Sequence, residues 1–369
     1  MFLNRRIATK GGDVFRDEFS VAFDGTDEYL DCGSDSSLDV GTNDFSVSAW
    51  YKVSTKGGSD YHDIAAKGDT LTTGNGWGIA LTESNKKIYF DTNGDVGRQN
   101  VISPADSWEF DKWYHIIATR SNSTNTLNLY LNGVFVATNT SATNDDLGDA
   151  SINFKIGTSE SSRETKGNIS EVAYYNTALT ASQVKTIYNG REPYNHKEGV
   201  ASNYLKAWYR MGDGILDNYA IICDETNVTL GSNVISNGTF TSDSNWNKNS
   251  MWSISGGVAV SDGSGSSNIN QSGSLIVGKL YKITFDIVSL TSGSGYSVRA
   301  GSSGTYSEVF NTIGTHTSYQ MCLGSFNNIY INANGNAAGS IDKVKAQLIG
   351  GKAAGMINMS ANDIEGDTP

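Results

Sequence analysis

Apolar and polar positions alternate at period two along most of this chain. Phe45 to Val53, Ile116 to Thr119 and Leu127 to Leu131 each place an apolar side chain at every second position. That is the pattern of a strand with one face in a core. Leu127 to Leu131, then Asn132-Gly133, then Val134 to Ala137 predicts a hairpin, because Asn-Gly accepts the positive φ angles of a two-residue turn. The helical period is convincing once. Thr180-Ala-Ser-Gln183 has capping-box spacing, Val184 and Ile187-Tyr188 supply an apolar face, and Gly190 follows as a stop. Beyond it, Leu280 to Val288, Tyr296 to Arg299, Asn328 to Asn332 and Ile341 to Ile349 alternate again between Gly/Ser-rich turns. Many short strands with one helix near 180–189 predict an all-β protein of two antiparallel β-sandwich (jelly-roll) domains.

Charge divides the chain. Residues 233–339 hold eight charged side chains that cancel, and the first 232 residues carry −11 of the net −12. A shift of this size marks two surfaces and two domains. The expected division is an N-terminal arm 1–19, a sandwich 20–192, a connector 193–232, a second sandwich 233–350 and a C-terminal segment 351–369. An acidic chain lacks the excess of Lys and Arg that would release counterions from phosphates, so no nucleic acid is expected as partner. No apolar run approaches membrane-spanning length, so no membrane insertion is expected, and the start Met1 to Asp13 has no secretion-signal pattern. Cys32, Cys223 and Cys322 are too far apart for a metal knuckle and read as buried thiols.

Residues 20–191 resemble the laminin-G-like, or concanavalin A-like, lectin domains. The matching pieces run in family order: Phe23 to Gly33, Phe45 to Trp50, Gly76 to Leu81, Trp113-Tyr-His115, Leu129 to Gly133, and Gly167 to Thr180 leading into the helix. The family usually has Asp where Ser170 stands. Residues 233–349 resemble jelly-roll carbohydrate-binding modules through Ile235-Ser-Asn-Gly-Thr-Phe240 and Ile341-Asp-Lys-Val344. Leu205 to Gly214 and Gly355 to Pro369 are similar to segments of structural proteins of marine tailed phages, where the two lie closer together. The second sandwich therefore reads as an insertion between two segments that could pair in a small connecting subdomain.

The resemblance implies glycan binding, possible calcium and a place on a virion. Asn144 to Asp149 and Asp60 to Asp63 are acidic turns suited to calcium, which laminin-G-like domains often hold at the sandwich rim. The metal candidates are Asp145, Asp146 and Asp149, with Asp342 where carbohydrate-binding modules keep a structural calcium. Sugar recognition needs exposed rings and planar polar groups. The candidates are Trp77 and Trp108 near loops, and Trp246, Tyr306 and Tyr319 among Ser, Asn and Gly. Trp50, Trp113 and Trp252 read as core. The glucanase branch would need an E-x-D-x-E acid set, and Glu109-Phe-Asp111 has no third acid. No nucleophile elbow, zinc helix or phosphate loop is present, and His115 reads as a structural histidine.

Arg5, Arg6 and Phe15 in the arm are candidates for assembly contacts with another protein surface. The whole predicts a non-enzymatic virion surface protein of a tailed phage, a capsid decoration, head fibre or tail fibre component assembled in the host cytoplasm. Its expected partners are other virion proteins and host glycans. An exported bacterial adhesin and a glucanase-class hydrolase are the alternatives.

Overall fold

The structure is a computed structural model. It describes residues 15–369 except 58–60, 69–74, 143–144, 149–150, 162, 193, 215–216, 218–220, 227, 278, 304–305 and 351–352. The chain divides into two compact units, Met1–Asn227 with Lys352–Pro369, and Val228–Gly351. Both are antiparallel β-sandwiches, and the α-helix is the short one that the capping box predicts, Ala181–Tyr188. Thr180 accepts from the Gln183 amide and Gln183 returns the bond to the Thr180 amide.

The first unit has two eight-stranded sheets. Across one run Val134–Asn139, Thr126–Leu131, Tyr114–Ser121, Phe45–Val53, Lys166–Tyr175, Ser20–Asp24 and Ile364–Glu365, with Leu205–Tyr209 also on Lys166–Tyr175. Across the other run Ile221–Cys223, Ala353–Ile357, Tyr29–Asp31, Phe154–Ile156, Tyr61–Gly68, Gly76–Thr82, Ile88–Asn93 and Gln99–Ile102. The hairpin at Asn132-Gly133 forms as the sequence predicts, with φ of 47° and 74°. A bulge between Ser170 and Ala173 lets Lys166–Tyr175 pair first with Ser20–Asp24 and then with Leu205–Tyr209. Glu171 sits in that bulge at φ 50°.

The expected connector and C-terminal segment are not separate pieces. Leu205–Tyr209, Ile221–Cys223, Ala353–Ile357 and Ile364–Glu365 are strands of the first sandwich, and Ala207, Tyr209, Ile222 and Ala354 enter its core. These strands are two to five residues long, too short to declare themselves by alternation. Each exists by pairing with the edge of a neighbouring strand. The two segments expected to pair, 205–214 and 355–369, take different partners among the described residues: Leu205–Tyr209 adds to Lys166–Tyr175, whereas Ala353–Ile357 lies between Ile221–Cys223 and Tyr29–Asp31 and Ile364–Glu365 adds to Ser20–Asp24, inside large sheets instead of a subdomain.

The second unit faces a six-stranded sheet with a three-stranded one. The six are Trp252–Ser255, Val258–Asp262, Ala338–Gly350, Leu280–Ser292 and Gly314–Met321, with Thr229–Asn233 also on Ala338–Gly350. The three are Ser267–Gln271, Ile329–Asn334 and Gly295–Ala300, in that order. Ile269, Ile331 and Val298 share one register row and are fully buried, so one face of this sheet closes the core. The alternate positions turn outward.

Candidate functional site

Three of the five rings expected to meet sugar lie in cores. Trp77 is 1% exposed and packs with Phe45 and Phe154 at 5.5 Å and Tyr174 at 6.1 Å. Its strand, Gly76–Thr82, is buried along its whole length and paired on both edges, and the Trp77 ring points at Phe45 and Tyr174 of the facing sheet. Trp108 is equally enclosed, its indole N–H donating to the Lys87 carbonyl. Trp246 packs on Phe240 at 5.2 Å and donates to the Asn237 carbonyl. Tyr306 and Tyr319 are half-buried but belong to different sheets of the second unit, Tyr319 on the six-stranded and Tyr306 beside the three-stranded.

The acidic turn is a packing device among the described residues. Asp145 is buried, its Oδ1 accepts from the Val96 amide at 3.0 Å, and its backbone carbonyl accepts from Arg120. Asp146 accepts from the Gly148 amide at 2.8 Å. Asp149 lies outside the described residues. Asp342 is in the other unit and accepts from the Lys343 amide. Asp145 Oδ2 is a buried acceptor without a partner, but a guanidinium lies on the same residue's carbonyl. Among the described residues no three His, Cys, Asp or Glu gather as a metal group. This donor set does not fit calcium, which takes roughly six to eight oxygens.

Arg5 and Arg6 lie outside the described residues. Phe15 is used within this chain, 5.8 Å from Trp208 and covered by the Arg210 guanidinium at 4.3 Å. Arg210 also donates to Glu171, and Asp213 accepts from the amides of Glu18 and Phe19 at 2.8 Å. Burial, then mutual repulsion, raises the Asp17 carboxyl; burial raises that of Glu171. Ser170, where the resembling family has Asp, donates to Asp17. The space beside Asp17 and Glu171 is about 40 Å³, room for a water and not for a sugar ring.

Among the described residues, two arrangements could hold a ligand. The first is a cleft of about 690 Å³ in the first unit, lined by Asp39, Asn43, Asp44, Asn122, Asn176 and Lys206. Asn122 braces it, its amide donating to Asp44 at 2.6 Å and its Nδ2 to the Thr42 carbonyl at 2.5 Å. Asn122 Oδ1 is buried without a hydrogen bond. Asp39 Oδ1 also lacks one, its nearest cation being Lys67 at 3.8 Å. The aromatic residue in the lining, Tyr174, is 2% exposed, so the cleft offers no ring face.

The second is the outward face of the three-stranded sheet. Asn270, Tyr330 and Arg299 are register partners in one row, and Asn268, Asn332 and Ser297 in the next. The amides form a ladder: Asn332 donates to Asn334 at 2.7 Å, Asn334 to Ser297 at 2.9 Å and Asn270 to Asn268 at 3.3 Å. Asn328 donates to the Tyr330 hydroxyl at 3.1 Å. The Arg299 guanidinium lies 4.6 Å from the ring centres of both Tyr330 and Tyr306. Tyr330 comes from the neighbouring strand, and Tyr306 from a segment held on the other edge by the Ser307 amide to the Val298 carbonyl. Asn268, Asn270, Arg299, Tyr330, Asn332 and Asn334 are all half-buried. Tyr306 was the one member of this face that the sequence singled out. The available signal for the rest was that the polar positions of Asn328 to Asn332 are Asn and Tyr, not the Lys or Glu of a solvated strand.

Residues 24–185 match the family model of the concanavalin A-like lectin/glucanases superfamily. No curated protein matches the chain. Among solved structures, the chain is similar to the carbohydrate-binding module CBM40 of the Ruminococcus gnavus IT-sialidase, bound to α2,3-sialyllactose. There the identity is 12%, with 46% of this chain and 96% of that one covered and a TM-score of 0.38. A heptameric SAP-like pentraxin from Limulus polyphemus is 16% identical, with 48% and 84% covered and a TM-score of 0.38. Domain 4 of the arabinanase AbnA from Geobacillus stearothermophilus, in complex with arabinotriose, is 20% identical, with 46% and 76% covered and a TM-score of 0.33. None of the three bears on the ligand of this chain.

Proposed function

We propose that this chain is a non-enzymatic glycan-binding surface protein and that the outward face of the three-stranded sheet in residues 228–351 holds the glycan. The observation that carries this reading is the row Asn270, Tyr330, Arg299, with Tyr306 beside it and the amide ladder next to it. Planar amides fork onto vicinal hydroxyls, rings and a guanidinium supply flat contact, and strands hold all of them but Tyr306, which an edge segment holds. Within this reading the chain stands on the surface of a tailed-phage particle, assembled in the host cytoplasm and meeting host glycans. The resemblance of 205–214 and 355–369 to phage structural segments supports that placement. Affinity electrophoresis of the full chain through gels containing soluble polysaccharides tests the binding. Asn332→Ala and Tyr330→Ala are expected to abolish retardation at unchanged melting temperature; retention by both variants would remove the site. Mass spectrometry of purified particles tests the location, and absence of the chain from them would leave the exported adhesin.

A second reading puts the glycan in the cleft of the first unit, favoured by its volume and its unpaired Asn122 and Asp39 oxygens. Asn122→Ala separates the two, since it should matter only there.

A further inference from the structure

Arg299 lacks a partner of its own kind. Among the described residues no acceptor hydrogen-bonds its guanidinium and no carboxylate pairs with it, and its Nε is buried unsatisfied. Glu308, two residues beyond Tyr306, is exposed and makes no ion pair with it. The two rings that flank Arg299 fix its position without using any N–H. A guanidinium held this way presents a rigid fork of donors, and the planar group that matches such a fork with two parallel bonds is a carboxylate.

The charge around it agrees. Residues 228–351 carry a net charge of +1, from Lys248, Lys279, Lys282, Arg299, Lys343 and Lys345 against five Asp and Glu. The rest of the chain carries −13. An acidic polymer would be repelled by the first unit and not by the second. On the face itself Arg299 is the sole charged residue among Asn268, Asn270, Ser297, Tyr330, Asn332 and Asn334.

We infer that this face selects glycans that carry a carboxylate, a uronate or a nonulosonate, with the carboxyl group on Arg299 and the sugar hydroxyls on the asparagine ladder. This rests on the reading of the face as a glycan site. The test compares polygalacturonate with the same polymer after its carboxyl groups are reduced to alcohols, and with dextran sulfate, at about 0.15 M salt, where charges farther apart than roughly 8 Å are screened. The full chain is expected to bind polygalacturonate at least tenfold more tightly than the reduced polymer. Arg299→Gln should erase that preference. Arg299→Lys, which keeps the charge without the fork, should lose most of it. Equal binding of polygalacturonate and its reduced form overturns the carboxylate while leaving the glycan site standing. Dextran sulfate held as tightly as polygalacturonate, or an unchanged preference in Arg299→Gln, overturns it also. Retention on none of these polymers and on no neutral polysaccharide overturns the glycan reading itself. If Arg299→Gln fails to fold, the two forms of the polymer still decide with the unaltered chain.

Discussion

Replacing Trp77 separates a core ring from a binding ring. The side chain is 1% exposed and enclosed by Phe45, Phe154 and Tyr174. A buried aromatic side chain removes roughly 150–250 Å² from water, worth about 4–6 kcal/mol, and truncations of buried Trp or Phe to Ala cost about 3–5 kcal/mol. Trp77→Ala is therefore expected to destabilise the first unit by about 4 kcal/mol. At about 2–4 °C per kcal/mol for a unit of this size, its calorimetric transition should fall by roughly 8–16 °C. Trp77→Phe should behave differently. The indole N–H is buried with no hydrogen-bond partner, an arrangement that costs about 1–3 kcal/mol. Phenylalanine loses about 1–2 kcal/mol of apolar burial and removes that unsatisfied donor, so the net change should stay within about 1 kcal/mol. The reasoning fails if Trp77→Ala melts within 2 °C of the parent yet loses polysaccharide retention, which would make the ring a platform. It fails in part if Trp77→Phe melts as low as Trp77→Ala, which would mean that the N–H has a partner.

Stability should be level between about pH 4.5 and 6.5 and decline above pH 7. Burial lowers His62 to about 4 and His115 and His196 to about 3, so they take protons only on unfolding, and what they contribute is present above about pH 6.5 and lost below it. Burial raises Asp63 to about 6 and raises Asp17 and Glu171, so these contribute fully below about pH 4 and progressively less as pH rises through their folded values. The two sets oppose each other below pH 6.5, and only the carboxylates act above it. Urea unfolding across pH measures this; Asp17, raised to about 9, is the carboxyl still titrating above pH 7, so Asp17→Asn should flatten the alkaline limb, and a rise in stability above pH 7 would contradict the assignment. Thr180→Ala removes the capping box and should cost about 1 kcal/mol in the same assay; no loss would mean that helix packing alone holds Ala181–Tyr188. Chelation with EDTA is expected to leave the melting curves within about 1 °C, and a larger calcium-dependent shift would assign ligands around the free oxygen of Asp145.

The alternation of apolar residues, one Asn-Gly turn and one capping box were enough to establish an all-β chain with its hairpin and its helix, because each is a local preference of a few neighbouring residues. The charge discontinuity marks residues 233–339, which fall inside the second unit Val228–Gly351, since a surface's composition is written in the chain that makes it. Burial of a particular ring was not local. Trp77 between two glycines looks like a loop residue, and only the strands on either side and the sheet facing it make that position interior. The polar row on the three-stranded sheet was beyond sequence for the same reason. Period two tells which residues of one strand share a face, whereas the meeting of Asn270, Tyr330 and Arg299 requires the register of three strands drawn from distant parts of the chain. That register, and the closing of the opposite face by Ile269, Ile331 and Val298, were decided by packing in the folded protein.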